Sequence, residues 1–288
     1  MHITKVTSLQ DYNNHVIKDS ESLKTLNSIN SKINEKIKTH KQFFIKGFSW
    51  TAQAESKFLV DLKFSNGIEV NLRDRLDCRI TKLNNRTRGS IQIWETLFKP
   101  KRDDSIYVTE QSSALFSWMR KKYSNLTGSE YINNSTLYYK TKIALKLFPK
   151  KLNHQDLTQL SFDDNQFKFV LSFECFEHIP DYKKAIKEIF RSLKPNGKLL
   201  FTVPFDINNQ KNLIRAVINN GVIEHLVEPE YHGDPVSNKG CLSYCTFGWQ
   251  LLDDLRNIGF SHSYILLYWS QKYCNLGNQQ IIICAEKS

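Results

Sequence analysis

Residues 167–202 read FKFVLSFECFEHIPDYKKAIKEIFRSLKPNGKLLFT, and no other stretch restricts the fold of this chain as tightly. FKFVLSF is short and almost continuously apolar, as a strand covered on both faces must be. Asp181 is a suitable helix N-cap. After it Tyr182, Ala185, Ile186, Ile189, Phe190 and Leu193 fall on one face of a helix. Pro195-Asn196-Gly197 stops that helix, and a second apolar strand, KLLFTVPF, begins at Lys198. A strand, an amphipathic helix and a strand in immediate succession make a βαβ crossover, which joins parallel strands.

The same rhythm extends on both sides. From residue 103, SIYVTE reads as a strand, SALFSWMRKKY as a helix, NLTGSEYI as a strand and KLNHQDL as a short strand. Downstream, WQLLDDLRNIGF is a helix ended by Gly259, and SYILLYW and QQIIICAE are strands. Alternating strands and helices predict an α/β domain over residues 103–288 with a seven-stranded, mostly parallel sheet. Residues 1–102 read differently and predict an α+β appendage. Leu23, Leu26, Ile29, Ile33 and Ile37 lie along one helical stripe. FFIKGFSW and KFLVDLKF are strand-like, and Ser65-Asn66-Gly67 before IEVNL predicts a hairpin turn. RDRLDCRITKLNNRTRGSIQIWETLF predicts a loop entering a helix.

Charge is divided along the same boundary. The chain of 288 residues has a net charge of +11, and residues 1–102 hold 19 Lys/Arg against 10 Asp/Glu. A solvated basic face accounts for this, and a polyanion partner is the sharper alternative. No run of about 18 apolar residues occurs, so no membrane-spanning helix is expected. The polar N-terminus lacks a signal-like apolar region, and Cys78, Cys175, Cys241, Cys245, Cys274 and Cys284 form no disulfide framework. A cytoplasmic protein with reduced thiols is expected.

Open parallel sheets bind ligands beyond the carboxyl ends of their strands. That rule selects Glu110, Glu130, Asp156, residues 172–178 and residues 204–206. In this region the sequence resembles class I S-adenosylmethionine-dependent methyltransferases. The resemblance is carried by DLTQLSFDDNQFKFVLSFECFEHIPDYKKAIKEIFRSLKPNGKLLFTVPF. An Asp follows the third predicted strand, Glu-His and Pro-Asp follow the fourth, and Leu-Lys-Pro-x-Gly precedes the fifth. The match is clear over residues 152–206 and extends plausibly over residues 103–288. It implies a Rossmann-like methyltransferase fold with S-adenosylmethionine as cofactor.

The resemblance assigns Glu130 to the ribose hydroxyls, Asp156 to the adenine amine and Leu157 to a backbone contact. Ser172 and Phe173 would line the methionine side. Each carboxylate has the alternative of being an ordinary loop acid. The family's first strand normally enters a Gly-x-Gly loop, but here IYVTEQSSALFSW has no glycine. Ser112 and Ser113 carry Cβ atoms that restrict close backbone approach. Glu110 or the Ser112 hydroxyl then contacts the methionine moiety, or cofactor binding is weakened.

Three readings are open for Glu174, Glu177 and His178. The Glu-x-x-Glu-His spacing is similar to a pattern in ubiquinone-type O-methyltransferases that can hold a divalent cation. His178 is also a candidate general base. The plain reading is structural support, and no resident metal is expected. EPEYHGDP, residues 228–235, sets Tyr231, His232 and Asp234 in a turn built by Gly233 and Pro235, and His232 is the second candidate catalytic residue. EPEYHGDP with FGWQLLDDL is similar to a group of bacterial class I methyltransferases, several associated with surface-glycan loci. LDCRITKLNNRTR resembles a stretch of that group with Cys-x-x-Cys, but Thr81 stands at the second cysteine's place, so no zinc site is expected there.

The expected reaction is methyl transfer to an oxygen of a small-molecule or glycan acceptor. The Asn/Asp-Pro-Pro-aromatic signature of amine methylation is absent, and Ser172-Phe173-Glu174-Cys175 stands in its place. RNA methylation through the basic first half is the alternative acceptor class, and a non-catalytic scaffold of the same fold is the alternative to an enzyme.

Overall fold

The computed structural model describes residues 1–65, 67, 69–132, 152–234 and 237–288. The chain divides into two compact units. One comprises Met1–Lys101 and Ile265–Ile282, and the other Arg102–Tyr264 and Ile283–Ser288. Residues 265–282, which the sequence groups with the second domain, thus pack within the first unit.

The first unit begins with β1 (His2–Val6), α1 (Leu9–Lys18) and α2 (Ser20–Thr39). The apolar stripe of α2 does what its spacing predicts: Leu26, Ile33 and Ile37 are buried in a core with Phe58, Val60, Leu76 and Leu276. β2 (Gln42–Ser49) and β3 (Ala54–Asp61) form an antiparallel hairpin, and β4 (Asp77–Cys78) pairs with β3. The turn of this hairpin is the short 3-10 turn Trp50–Ala52, and the turn expected at Ser65-Asn66-Gly67 before IEVNL falls partly outside the described residues, at 66 and 68. IEVNL forms no strand among its described residues. α3 (Asn85–Phe98) is capped by Asn84, whose side chain accepts from the Thr87 amide. Cys78 is buried, with the hydroxyl oxygens of Ser49 and Ser56 at 3.3 Å.

The second unit holds β5 (Ile106–Val108), α4 (Ala114–Lys122), β6 (Leu126–Gly128), β7 (Phe167–Phe173), α5 (Tyr182–Ser192) and β8 (Leu193–Thr202). Between β8 and α6 (Gln250–Ile258) come six short strands: β9 (Leu213–Ile214), β10 (Ala216–Asn219), β11 (Val222–His225), β12 (Tyr231–Asp234), β13 (Ser237–Leu242) and β14 (Cys245–Thr246). β15 (His262–Ser270) and β16 (Asn275–Glu286) end the chain, and each runs from one unit into the other.

Seven strands share a sheet in the order β1-β15-β16-β8-β7-β5-β6. β6, β5, β7 and β8 are mutually parallel, and β16 is antiparallel to β8. The order turns at β5, where the chain moves outward to β6 and then crosses back to β7. This is the switch point at which an α/β sheet opens a ligand crevice. The sheet is mixed, with β1 as its seventh strand. KLNHQDL contributes only isolated bridges, Glu130 to His154 and Asp156 to Gln159. The βαβ unit forms as the sequence predicts except at its second strand, which begins at Leu193, so that Pro195-Asn196-Gly197 lies within β8 and the helix ends at Ser192. Asp181 accepts from the Lys184 amide, and Tyr182, Ala185, Ile186 and Ile189 of α5 are buried. Among the described residues no helix is long and apolar enough to cross a membrane.

Candidate active site

β7 delivers its carboxyl end into a tight turn. Glu174 takes a left-handed conformation, φ 52°, with its amide donating to the Thr202 carbonyl. A single 3-10 turn, Phe176–His178, follows before the Asp181 cap. The turn drives Phe176 into the core and Glu177 inward behind it, so that Glu177 is 0% exposed. His178 stays at the rim. Its Nδ1 lies 2.8 Å from the Leu242 carbonyl. A carbonyl only accepts, so Nδ1 carries the proton, and the Nε2 of neutral His178 presents a lone pair.

His232 arrives from the β12–β13 hairpin, opposite Cys241. Of EPEYHGDP, Tyr231–Asp234 is strand, residues 228–230 lead into it, and Pro235 is outside the described residues. Gly240, next to Cys241, has φ +76°, and a Cβ there would meet the His232 carbonyl at 2.6 Å. Glycine is what lets this strand approach so closely. The hairpin is joined to the β7 turn by the Tyr244 amide, which donates to the Glu177 carbonyl at 2.7 Å.

The result is a cluster about one buried carboxylate. Glu177 Oε1 lies 3.7 Å from His178 Nε2 and 3.7 Å from His232 Nδ1. The two imidazoles meet edge to face at 5.0 Å between centroids. Neither carboxylate oxygen of Glu177 has a hydrogen-bond partner. Burial raises the Glu177 pKa, because an anion in such a place has lost its water. His232 Nε2 donates to Glu230 Oε1 at 2.9 Å, and Arg215 holds the other oxygen of Glu230 at 3.0 Å. Glu177 and then Glu230 hold the His232 imidazole up to about 9, against the opposing effect of its partial burial.

The residues assigned to the cofactor lie around the ends of β5, β6 and β7. Glu130, two residues past β6, faces the loop after β5. Its Oε1 accepts from the Gln111 amide at 2.8 Å, the Ser112 amide at 2.7 Å and the Ser112 hydroxyl at 2.5 Å. Three donors on one carboxylate oxygen shape the loop that lacks its glycines. Close approach is supplied instead by Gly128 of β6. A Cβ at Gly128 would fall 2.4 Å from the Phe116 ring and 2.8 Å from the Glu110 carbonyl. Asp156 accepts from the amide and hydroxyl of Thr158, both at 2.8 Å, and Leu157 is buried beside it. Ser172 is buried and its Oγ accepts from Thr109 at 3.0 Å, while Phe173 is half-buried at the strand end.

Sequence reasoning named His178 and His232 but had no reason to join them, being 54 positions apart in the chain. It also passed over Glu230, Arg215 and Gly128. A glycine ending a strand beside a loop without glycine was the available signal for the last.

A family model described as a methyltransferase domain matches residues 111–201. Phosphoethanolamine N-methyltransferase 2 of Caenorhabditis elegans is 42% identical over 53 residues, 18% of this chain and 12% of that protein. Demethylmenaquinone methyltransferase of Staphylococcus epidermidis is 37% identical over 75 residues, 26% of this chain and 31% of that one. The chain thus spans less than a third of the length of these curated relatives. A solved S-adenosylmethionine-dependent methyltransferase of Mesorhizobium loti aligns at 13% identity with a TM-score of 0.44, covering 68% of this chain and 97% of that one. Residues 111–201 thus resemble a methyltransferase domain, and the sheet order around them fits a Rossmann-like α/β fold.

Proposed function

We propose that this protein is an S-adenosylmethionine-dependent methyltransferase acting on an oxygen of a small-molecule or sugar-containing acceptor. The domain match from the loop after β5 to β8 supports the reaction class, since that stretch contains the switch point and its crevice. S-adenosylmethionine, when bound, supplies an electrophilic methyl group on a sulfonium. The chain offers fitting groups for it. Glu130 and Asp156 are the candidates for the ribose hydroxyls and the adenine amine, with Leu157 beside the ring. Glu110, Ser112, Ser172 and Phe173 are the candidates for the methionine end. Gly128 makes room for the loop, so the absence of glycine at positions 111–113 does not exclude the cofactor.

The protein's part in such a transfer is orientation and exclusion of water. An oxygen acceptor must also lose its proton. The observation that carries this reading is the His178 tautomer: Nδ1–H is committed to the Leu242 carbonyl, so Nε2 is set to receive a proton from the acceptor hydroxyl. His232 lies beside it, pinned through Nε2–H to Glu230 with its Nδ1 toward Glu177.

The test is transfer of labelled methyl from S-adenosylmethionine to sugars and other hydroxyl compounds, to amines and to RNA, each in parallel. Label is expected in the hydroxyl set, with His178→Ala lowering turnover roughly 100-fold or more. Transfer to amines or to RNA alone would overturn the acceptor assignment. Transfer to nothing, together with no cofactor binding, would overturn the enzyme.

A further inference from the structure

A carboxylate without exposure and without a hydrogen bond is a costly group to bury, and such groups persist where a partner completes them. Glu177 has both oxygens in this state. The nitrogens nearest to it, at 3.7 Å, are too far to donate well. They are instead placed for a shared third body. One oxygen of Glu177, a ring nitrogen of His178 and a ring nitrogen of His232 all lie within 4.8 Å of one another.

The far sides of both imidazoles are fixed. His178 Nδ1–H donates to the Leu242 carbonyl, and His232 Nε2–H donates to Glu230, itself held by Arg215. Metal-binding histidines show this arrangement, in which a carbonyl or carboxylate takes one ring proton and turns the other nitrogen toward the ion. Here the two nitrogens so turned are the two that face Glu177.

We propose that Glu177, His178 and His232 together bind a divalent first-row transition cation. Two imidazoles in a set of three donors suit zinc, cobalt, iron or nickel, and disfavour magnesium and calcium, which take oxygen ligands. Donor atoms around a four-coordinate ion of this kind stand roughly 3.3 Å apart. The two Glu177–imidazole separations, 3.7 Å each, need to close by only a few tenths of an ångström, and the two imidazole nitrogens, within 4.8 Å of each other, draw together about the ion. Three protein ligands leave a position open, and an oxygen of a substrate or water takes it. The cation neutralises Glu177, which removes the cost of burying that charge. It also occupies Nε2 of His178, so in the loaded protein an acceptor hydroxyl is activated by the cation and not by that nitrogen. The binding site itself stands whether or not the chain transfers methyl groups.

The experiment is titration of the full-length, chelator-treated protein with cobalt(II) and zinc(II) alone, followed by visible absorption and proton NMR. One equivalent of cobalt is expected to bind with visible d–d bands that zinc abolishes. Two solvent-exchangeable, paramagnetically shifted signals are expected from the pinned N–H groups of His178 and His232. Glu177→Gln and His232→Ala should each weaken zinc binding by at least about 10-fold, and Glu230→Gln by about 10- to 100-fold. Glu177→Gln can perturb folding, but the unmodified protein's cobalt spectra read the ligand set without any substitution. Absence of stoichiometric binding, or bound cobalt lacking the two exchangeable signals, would overturn the site.

Discussion

Replacing Glu130 tests how the loop after β5 is built. In Glu130→Ala the amides of Gln111 and Ser112 and the Ser112 hydroxyl lose the single oxygen on which they converge. A hydrogen bond to a charged acceptor contributes about 1.5–3 kcal/mol. The loop is only part-buried, so water replaces some of what is lost, and two of the donors share one residue. The net cost is therefore expected near 2–4 kcal/mol rather than the full sum. Glu130→Gln keeps an acceptor oxygen but removes its charge, and should lose less than half as much. Denaturant unfolding measures the stability change. Hydrogen–deuterium exchange over residues 109–116 locates it, with faster exchange at Gln111 and Ser112 expected in Glu130→Ala. A stability loss below about 0.5 kcal/mol with unchanged exchange would refute the claim that Glu130 shapes this loop.

Gly128→Ala should destabilise the second unit by about 1–3 kcal/mol, because its Cβ collides with the Phe116 ring and the Glu110 carbonyl; a melting temperature equal to that of the parent would show that the loop has room to yield. Ser113→Ala removes the side chain that accepts from the Phe116 amide and caps α4, and should cost about 1 kcal/mol in the same assay. In the first unit Arg75 lowers the Asp61 pKa by hydrogen bonding to its carboxylate. A carboxyl whose folded pKa is depressed contributes stability above its unfolded pKa, about 4, and loses it as pH falls through the folded value. Asp61→Asn should therefore flatten the acid limb of the stability–pH curve below about pH 4, and an unaltered limb would rule out that contribution.

The parts of the fold that were legible in the sequence are those where local signals agree. FKFVLSF, the Asp181 cap and the apolar face of α5 each point to one structure, and the βαβ unit follows. KLNHQDL misled because its strand-like pattern makes only isolated bridges among the described residues, one to Glu130 beyond β6 and one locally to Gln159. β1 was hidden because HITKV is short and polar, and its strand state comes from pairing with residues 265–269 at the other end of the chain. In the site, the carboxyl-end rule found Glu130, Asp156 and the β7 turn. It could not find the joining of Glu177 to His232, since that depends on the Gly240 approach, on the His178 side chain's bond to the Leu242 carbonyl and on the Tyr244 amide's bond to the Glu177 carbonyl. Nor could it find Gly128, whose effect is exerted on a loop in another element.

The most direct test of the assignment to S-adenosylmethionine-dependent methyl transfer is a calorimetric titration of the full chain with S-adenosylhomocysteine. Saturable binding at one site per chain is expected, weakened at least about 10-fold by Asp156→Ala if that carboxylate takes the adenine amine. The absence of heat and of any thermal shift at millimolar ligand would contradict it.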